Sequence, residues 1–328
     1  MKFKLGLLAA VISLGAVVNA SAQEVVLKFG HAAASNHLFQ DGLNMFAAAV
    51  KEKTGGKITI EVFGDRQLGD DKQLLEGLQL GTVDGALVSV PTLPLAIGAT
   101  AFDALQLPFL VGSYEQMSAA LTSDLGQKFL DSLSDKGIKG LGYYEAGQRH
   151  FLSRTKTVET MADFAGLKTR IVPTPLHKAT WEAVGTNPIG MAYGEVYSAL
   201  ETGTIDAVEI NLSSIRAESF YQAAKHATLT GHYFWPGVLM MGSAKFDGLS
   251  DEFKAAIVAA GKETIEAHYK LAASQEAETS EFLKANGVTI STLKDIDAMR
   301  EKMKPVVAEW AAKDPLIQAF IDQIEASN

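Results

Sequence analysis

The sequence carries the same phrase twice. Residues 78–89 read LQLGTVDGALVS and residues 200–211 read LETGTIDAVEIN, 122 positions later. Leu, Gly, Thr and Asp recur at matching places, and Val83 corresponds to Ile205. In both copies a helical stretch is stopped by glycine and followed, after Asp84 or Asp206, by a β-rich run. A repeated helix–Gly–Thr–x–Asp–strand element predicts two similar α/β units, with Ser89 and Asn211 at equivalent strand ends. Ligands of open α/β sheets bind beyond the carboxyl ends of the strands, so these two residues are expected to face one cleft.

Each copy sits in a longer alternation. VVLKFG (25–30) reads as a buried strand, and Ser35 or Asn36 is placed to cap a helix carrying Leu38, Leu43, Phe46 and Val50. KITIEVF alternates as a strand, Asp70 and Gln73 form a capping box, and Gly81 ends the next helix. Strand, helix, strand, helix, strand predicts a mostly parallel sheet. A second unit begins near residue 148, with GLKTRIV as a strand and a Thr174-capped, Pro175-led helix after it. Residues 251–286 hold no proline and one glycine, Gly261, and predict a helix long enough to span both units or to break at that glycine. One further helix is expected around Asp297 to Ala312. The expected division is 23–147 with 235–275 as domain I, and 148–234 with 276–328 as domain II.

The first 22 residues stand apart. Lys2 and Lys4 precede an apolar run from Leu5 to Val18, and Ala20-Ser21-Ala22 closes it with small residues, the pattern of a cleavable signal peptide. The run is shorter than the ~20 residues that span a bilayer. A periplasmic destination is expected. Without those two lysines the chain carries 27 basic and 38 acidic side chains, a formal charge of −11 that argues against nucleic acid as a partner. There is no cysteine, hence no disulfide or thiolate chemistry.

Enzyme motifs are missing: no G-x-S-x-G, no H-E-x-x-H, no Walker A loop and no G-x-G-x-x-G after a strand. The seven histidines show no metal spacing, and no cofactor is expected. Asp70-Asp71 is explained by capping and the helix dipole. Arg170, within the core-like strand LKTRIVP, must find an anion: a ligand carboxylate held in a bidentate fork, or an internal Asp or Glu. Arg149 opens the second unit at an expected domain crossover, where the residues alone favour a solvated or hinge-bridging charge. Tyr193, His232 and Trp235 offer rings or polar tips to a ligand. His31, Asn36 and His37 surround the first strand-to-helix turn, where contacts or caps are both served.

Taken together, QLGDDKQLLEGLQLGTVDGALVS, AGQRHF, ADFAGLKTRIVPTP, NPIGMAYGEVYSALETGTIDAVEIN and LTGHYFWPG resemble the DctP-type solute-binding proteins of tripartite ATP-independent periplasmic (TRAP) transporters. The resemblance covers essentially the whole chain after residue 22. It implies two α/β domains joined by crossing strands and a long helix, closing on an organic acid such as a C4-dicarboxylate or sugar acid. It implies a bidentate carboxylate clamp at Arg170, a second anion contact at Arg149 and an aromatic contact at Tyr193. It also implies a monomer that delivers its acid to small and large membrane subunits driven by an ion gradient, with a sensory binding protein or a periplasmic enzyme as alternatives. Many members read D-G-Q-E-N-P where this chain reads Asp206-Ala207-Val208-Glu209-Ile210-Asn211, so Ile210 takes the place of their ligand-contacting Asn. Glu209 is left to accept hydroxyl groups or to serve the structure. Ser89 stands where the sialic-acid branch has an acid.

Overall fold

The computed structural model describes residues 24–327, so the expected signal peptide lies outside the described residues. Ten strands follow in chain order: β1 (Val25–His31), β2 (Ile58–Phe63), β3 (Gly85–Ser89), β4 (Ile138–Ser153), β5 (Lys168–Ile171), β6 (Asn187–Gly190), β7 (Ala207–Asn211), β8 (His226–Leu229), β9 (Phe234–Gly242) and β10 (Thr289–Thr292). The first sheet runs β2-β1-β3-β9-β4, with β1 parallel to both neighbours and β9 antiparallel to β3 and β4. The second runs β6-β5-β7-β4-β8-β10. Both sheets share β4, which pairs with β9 as far as Gln148 and with β7 from Arg149 onward.

The sheets are therefore mixed rather than mostly parallel, because β4 and β9 cross between the repeated units in the antiparallel sense. Alternation along β9 packs both faces of the first sheet: Val238 and Met240 join the core of Leu74, Phe102 and Phe129, while Leu239 and Met241 join Phe29, Leu43 and Phe46. In the second sheet Val208 and Ile210 face Leu200, Ile215 and Phe220, and Ala207 faces Phe151 and Trp181. The repeat explains its own glycine. Gly81 and Gly203 end their helices at the same left-handed geometry, φ 75° in both, where a side chain would be strained.

The helix Asp251–Ala285 runs unbroken for 35 residues, about 52 Å at 1.5 Å per residue. It touches β4, the helix Leu38–Lys53, the helix Leu212–Ala217 and the helix Tyr114–Thr122, so elements of both units rest on it. Gly261 does not break it. A Cβ there would meet the Leu141 carbonyl oxygen at 2.4 Å, so the glycine is a contact point where helix and β4 touch backbone to backbone. The chain ends in two helices, Ile296–Ala311 and Pro315–Ala326, where the sequence suggested one. The second buries Ile317, Phe320 and Ile324 with Phe102 and Phe129, so its packing partners belong to the first unit rather than the second. The helix after β1 is capped by His37, whose side chain accepts from Phe39 N, and not by Ser35 or Asn36.

Replacing Gly261 with alanine would ordinarily gain about 1 kcal/mol of helix propensity. Here the added methyl has to displace a backbone carbonyl, an overpacking cost of roughly 1–3 kcal/mol. Gly261→Ala is expected to lower the urea midpoint; a raised midpoint would show that helix and strand separate freely.

Candidate ligand-binding site

A cavity of about 230 Å³ opens between the two units. The first unit supplies His37, Asp71, Ser89, Thr92 and Trp235; the second supplies Arg149, Arg170, Tyr193 and Ser214.

Arg170 projects from β5, a strand held between β6 and β7, and is 2% exposed. Its Nε and Nη2 donate to the Met191 carbonyl at 3.2 and 2.9 Å. Among the described residues no carboxylate lies within the 4.0 Å of an ion pair. Burial lowers the guanidinium to about 10, with nearby Glu209 opposing and Arg149 adding to that shift. It therefore stays protonated at neutral pH, buried, beside a cavity and, among the described residues, without a carboxylate in direct contact.

Arg149 is satisfied differently. Alternation on β7 turns Glu209 onto a core face, fully buried, and Arg149 on the neighbouring strand answers it. Arg149 Nε donates to Glu209 Oε2 at 2.8 Å and Nη2 lies 2.7 Å from Oε1, while Nη1 reaches Asn211 Oδ1 at 3.3 Å. Its guanidinium stacks 3.7 Å from the Trp235 ring centroid. The Tyr233 hydroxyl also donates to Glu209 Oε2, at 2.9 Å. Burial alone would raise Glu209, but Arg149, with help from His232 and His177, holds it well below the usual carboxylate range. His232 and His177 are pushed by burial to about 4 and about 3, so both are neutral here.

Asp71 is the acid that the sequence assigned to capping alone. Asp70 is indeed the N-cap of the helix Asp71–Leu80, with the Gln73 capping box in place. Asp71, however, reaches the end of β3. Its Oδ2 accepts from the Ser89 hydroxyl, from Ser89 N at 3.1 Å and from Thr92 Oγ1 at 3.3 Å. Its Oδ1 makes no hydrogen bond to the described residues, and Asp71 lines the cavity. Burial lifts its carboxyl to about 6, against the pull of Ser89.

His37 Nδ1 accepts from a backbone N–H, which leaves the ring proton on Nε2 to donate to Ser214 Oγ at 3.0 Å. Burial holds His37 near 3, so that arrangement does not titrate at neutral pH. Of the sequence candidates, Arg170, Arg149, Tyr193, Ser89, His37 and Trp235 meet at the cavity. Asn211 does not face Ser89 across it: it is fully buried and bonded to Ala146, Ser213 and Arg149. Glu209 and His232 stand behind the wall, His31 is turned to Gln40, and Asn36 is exposed in a turn. Asp71, Thr92 and Ser214 were missed as site residues, because only the tertiary fold brings these positions to one cavity.

Residues 29–314 match the family described as DctP, bacterial extracellular solute-binding protein, family 7. The chain belongs to this family. It is a solute-binding protein of the TRAP type, not an enzyme. It is 30% identical over 304 residues to the 2,3-diketo-L-gulonate-binding periplasmic protein YiaO of Escherichia coli, covering 93% of this chain and 92% of that one. The sugar acid binding protein DctPAm of Advenella mimigardefordensis, solved with galactonate, superposes with a TM-score of 0.88 at 27% identity, covering 93% and 99% of the two chains. A TRAP periplasmic solute-binding protein of Sulfitobacter sp. NAS-14.1, solved with β-D-galacturonate, gives a TM-score of 0.84 at 31% identity, covering 91% and 99%. Among the described residues no helix of this binding protein is long and apolar enough to cross a membrane.

The crossing strands carry one more buried acid. Glu145 Oε1 accepts from Gly147 N at 2.9 Å on β4 and from Trp235 N at 2.8 Å on β9, joining the two strands where they pass between sheets. Burial pushes its carboxyl up to about 8, although those backbone donors pull it down. The folded protein thus keeps a proton that the unfolded chain releases near 4.5, and between those values stability falls as pH rises. Glu145→Gln retains an acceptor without the ionisation. Its unfolding free energy relative to the parent is expected to improve from about pH 5 to about pH 8.5 in denaturant titrations. A pH-independent difference would show that Glu145 is ionised throughout.

Proposed function

We propose that this binding protein captures a hydroxylated monocarboxylate of the sugar-acid class in the periplasm and delivers it to the membrane subunits of a TRAP transporter. One observation carries the reading: Arg170 is a buried, protonated guanidinium on a cavity wall, with no carboxylate in ion-pair contact among the described residues. A buried charge left unpaired is costly, so the site favours a ligand that supplies the anion. Nε and Nη2 each give one hydrogen to the Met191 carbonyl, so the edge formed by Nη1 and the second Nη2 hydrogen is the one that matches a carboxylate with two parallel bonds. Arg149 spends its Nε and Nη2 on Glu209, so its part is to hold Trp235 as a flat floor.

Asp71 separates the ligand classes. Near neutral pH it is mostly ionised, and its Oδ1 accepts hydrogen bonds from ligand hydroxyl groups. A second carboxylate placed there would meet a like charge, which disfavours dicarboxylates. Relatives solved with galactonate and β-D-galacturonate support the same class. In this reading residues 1–22 direct export, the two sheets with their helices are the two lobes, and β4 and β9 are the hinge. The chain acts as a monomer, without a cofactor, and an ion gradient drives uptake through the permease.

Calorimetry with D-galactonate, D-galacturonate, succinate and D-galactose tests this on protein stripped of bound ligand. The sugar acids are expected to bind. Arg170→Ala removes two charge-assisted bonds of about 1.5–3 kcal/mol each and should cost at least about a hundredfold in affinity. Arg170→Lys should also weaken binding, because an ammonium does not reproduce the fork. Asp71→Asn should weaken the sugar acids while narrowing their advantage over succinate. Binding of the neutral sugar alone, or an unchanged affinity in Arg170→Ala, would refute the clamp.

A further inference from the structure

Beside the cavity the two units are bridged by a side chain that does not line it. Arg66 belongs to the loop after β2, in the first unit. Its Nη2 donates to Glu218 Oε2 at 2.7 Å, just beyond the helix Leu212–Ala217 of the second unit. Glu218 Oε1 accepts in turn from Ala34 N at 2.9 Å, in the loop after β1. One carboxylate of the second unit thus holds two loops of the first.

Arg66 also lies over the ring of Tyr193, 5.1 Å from its centroid. The neighbouring Gly194 leaves room for it, since a Cβ there would come within 3.1 Å of Arg66 Nε. Tyr193, Gly194 and Glu218 form a socket on the second unit, and Arg66 is the key that enters it.

The loop is shaped for this at a cost. Asp65 and Arg66 have φ 55° and 60°, left-handed values that non-glycine residues rarely adopt. Asp65 N donates to Ala33 O at 2.8 Å and its Oδ1 accepts from Ser35 N at 2.9 Å, which ties the loop to the first unit. The pair Arg66–Glu218 is only partly exposed, at 26% and 11% of the two side chains, so solvent screens it less than an ordinary surface pair.

We propose that Arg66 and Glu218 form a cross-cleft clasp that stabilises the closed arrangement of the two lobes independently of ligand. The clasp sets how much of the protein is closed before an acid arrives, and so how long the acid is retained. Arg66 and Glu218 are positioning residues, acting through Tyr193 and the loop at Ala34. The clasp does not depend on which acid the cavity takes.

The absence of native cysteine lets two be introduced cleanly. Exposed Glu76 on the first unit and Glu201 on the second are replaced, Glu76→Cys and Glu201→Cys, and spin-labelled. Electron–electron distance measurements on ligand-stripped protein then read the closed and open populations directly, whatever the fate of the carboxylate reading. The parent clasp is expected to show a short-distance population. Arg66→Ala should move it toward long distances, by roughly fivefold in the closed-to-open ratio, the factor that about 1 kcal/mol confers. Glu218→Gln keeps an acceptor for Ala34 N but loses the charge, and should shift the ratio in the same direction with the melting temperature nearly unchanged. The exchanged pair, Arg66→Glu with Glu218→Arg, should recover part of the short population relative to either single reversal. Only long distances in the parent, or the same distribution in parent, Arg66→Ala and Glu218→Gln, would overturn the clasp.

Discussion

Two buried guanidinium groups border the cavity, and the buried carboxylate of Glu209 pairs with one of them, Arg149. Glu209 sits on a core face of β7 because strand alternation turns it there, and Arg149 is drawn to it by two charge-assisted contacts. That pair is complete. His177 and His232 add no charge to the balance, because burial keeps both neutral. Arg170 is left with a backbone carbonyl and an uncompensated charge. The interior tolerates this because the charge borders a cavity rather than packed apolar atoms, and water or an anion reaches it. The site is therefore defined by an electrostatic deficit, while the Glu209 network fixes the wall in place around it.

The opposite wall is chemically different. Asp71 binds Ser89 and Thr92 through one oxygen and leaves the other without a partner among the described residues. Positive potential from the second unit and an acceptor from the first give the cavity a direction along which an unsymmetrical ligand is oriented. Ser214 is made an acceptor by the Nε2 proton of His37. Polarity on each wall is thus set by groups one bond further back.

Much of this was legible in the sequence where it was local. The repeated Gly81 and Gly203, the Asp70–Gln73 box and the Thr174–Pro175 start are decided within a few residues, and they appear as read. Arg170 was conspicuous because a charge in a core-like strand has few explanations. What lay beyond reach was tertiary. Asn211 matches Ser89 in the repeat, yet Arg149 and Ala146 claim its side chain. Asp71 looked like a helix-start acid because its true partners are 18 and 21 residues away in sequence. His37 won the cap from Ser35 and Asn36 through a ring nitrogen, and periodicity cannot register that.

The 35-residue helix has a mechanical meaning apart from its packing. A rod of about 52 Å converts angle into distance, and one degree of tilt at one end carries the other about 0.9 Å. Its bearing surface is the bare backbone contact at Gly261, near the end where the helix starts. A few tenths of an ångström of slack at that bearing would therefore be multiplied along the shaft, among the elements of the second unit. The missing methyl at Gly261 is a tolerance held tight so that a long lever stays true.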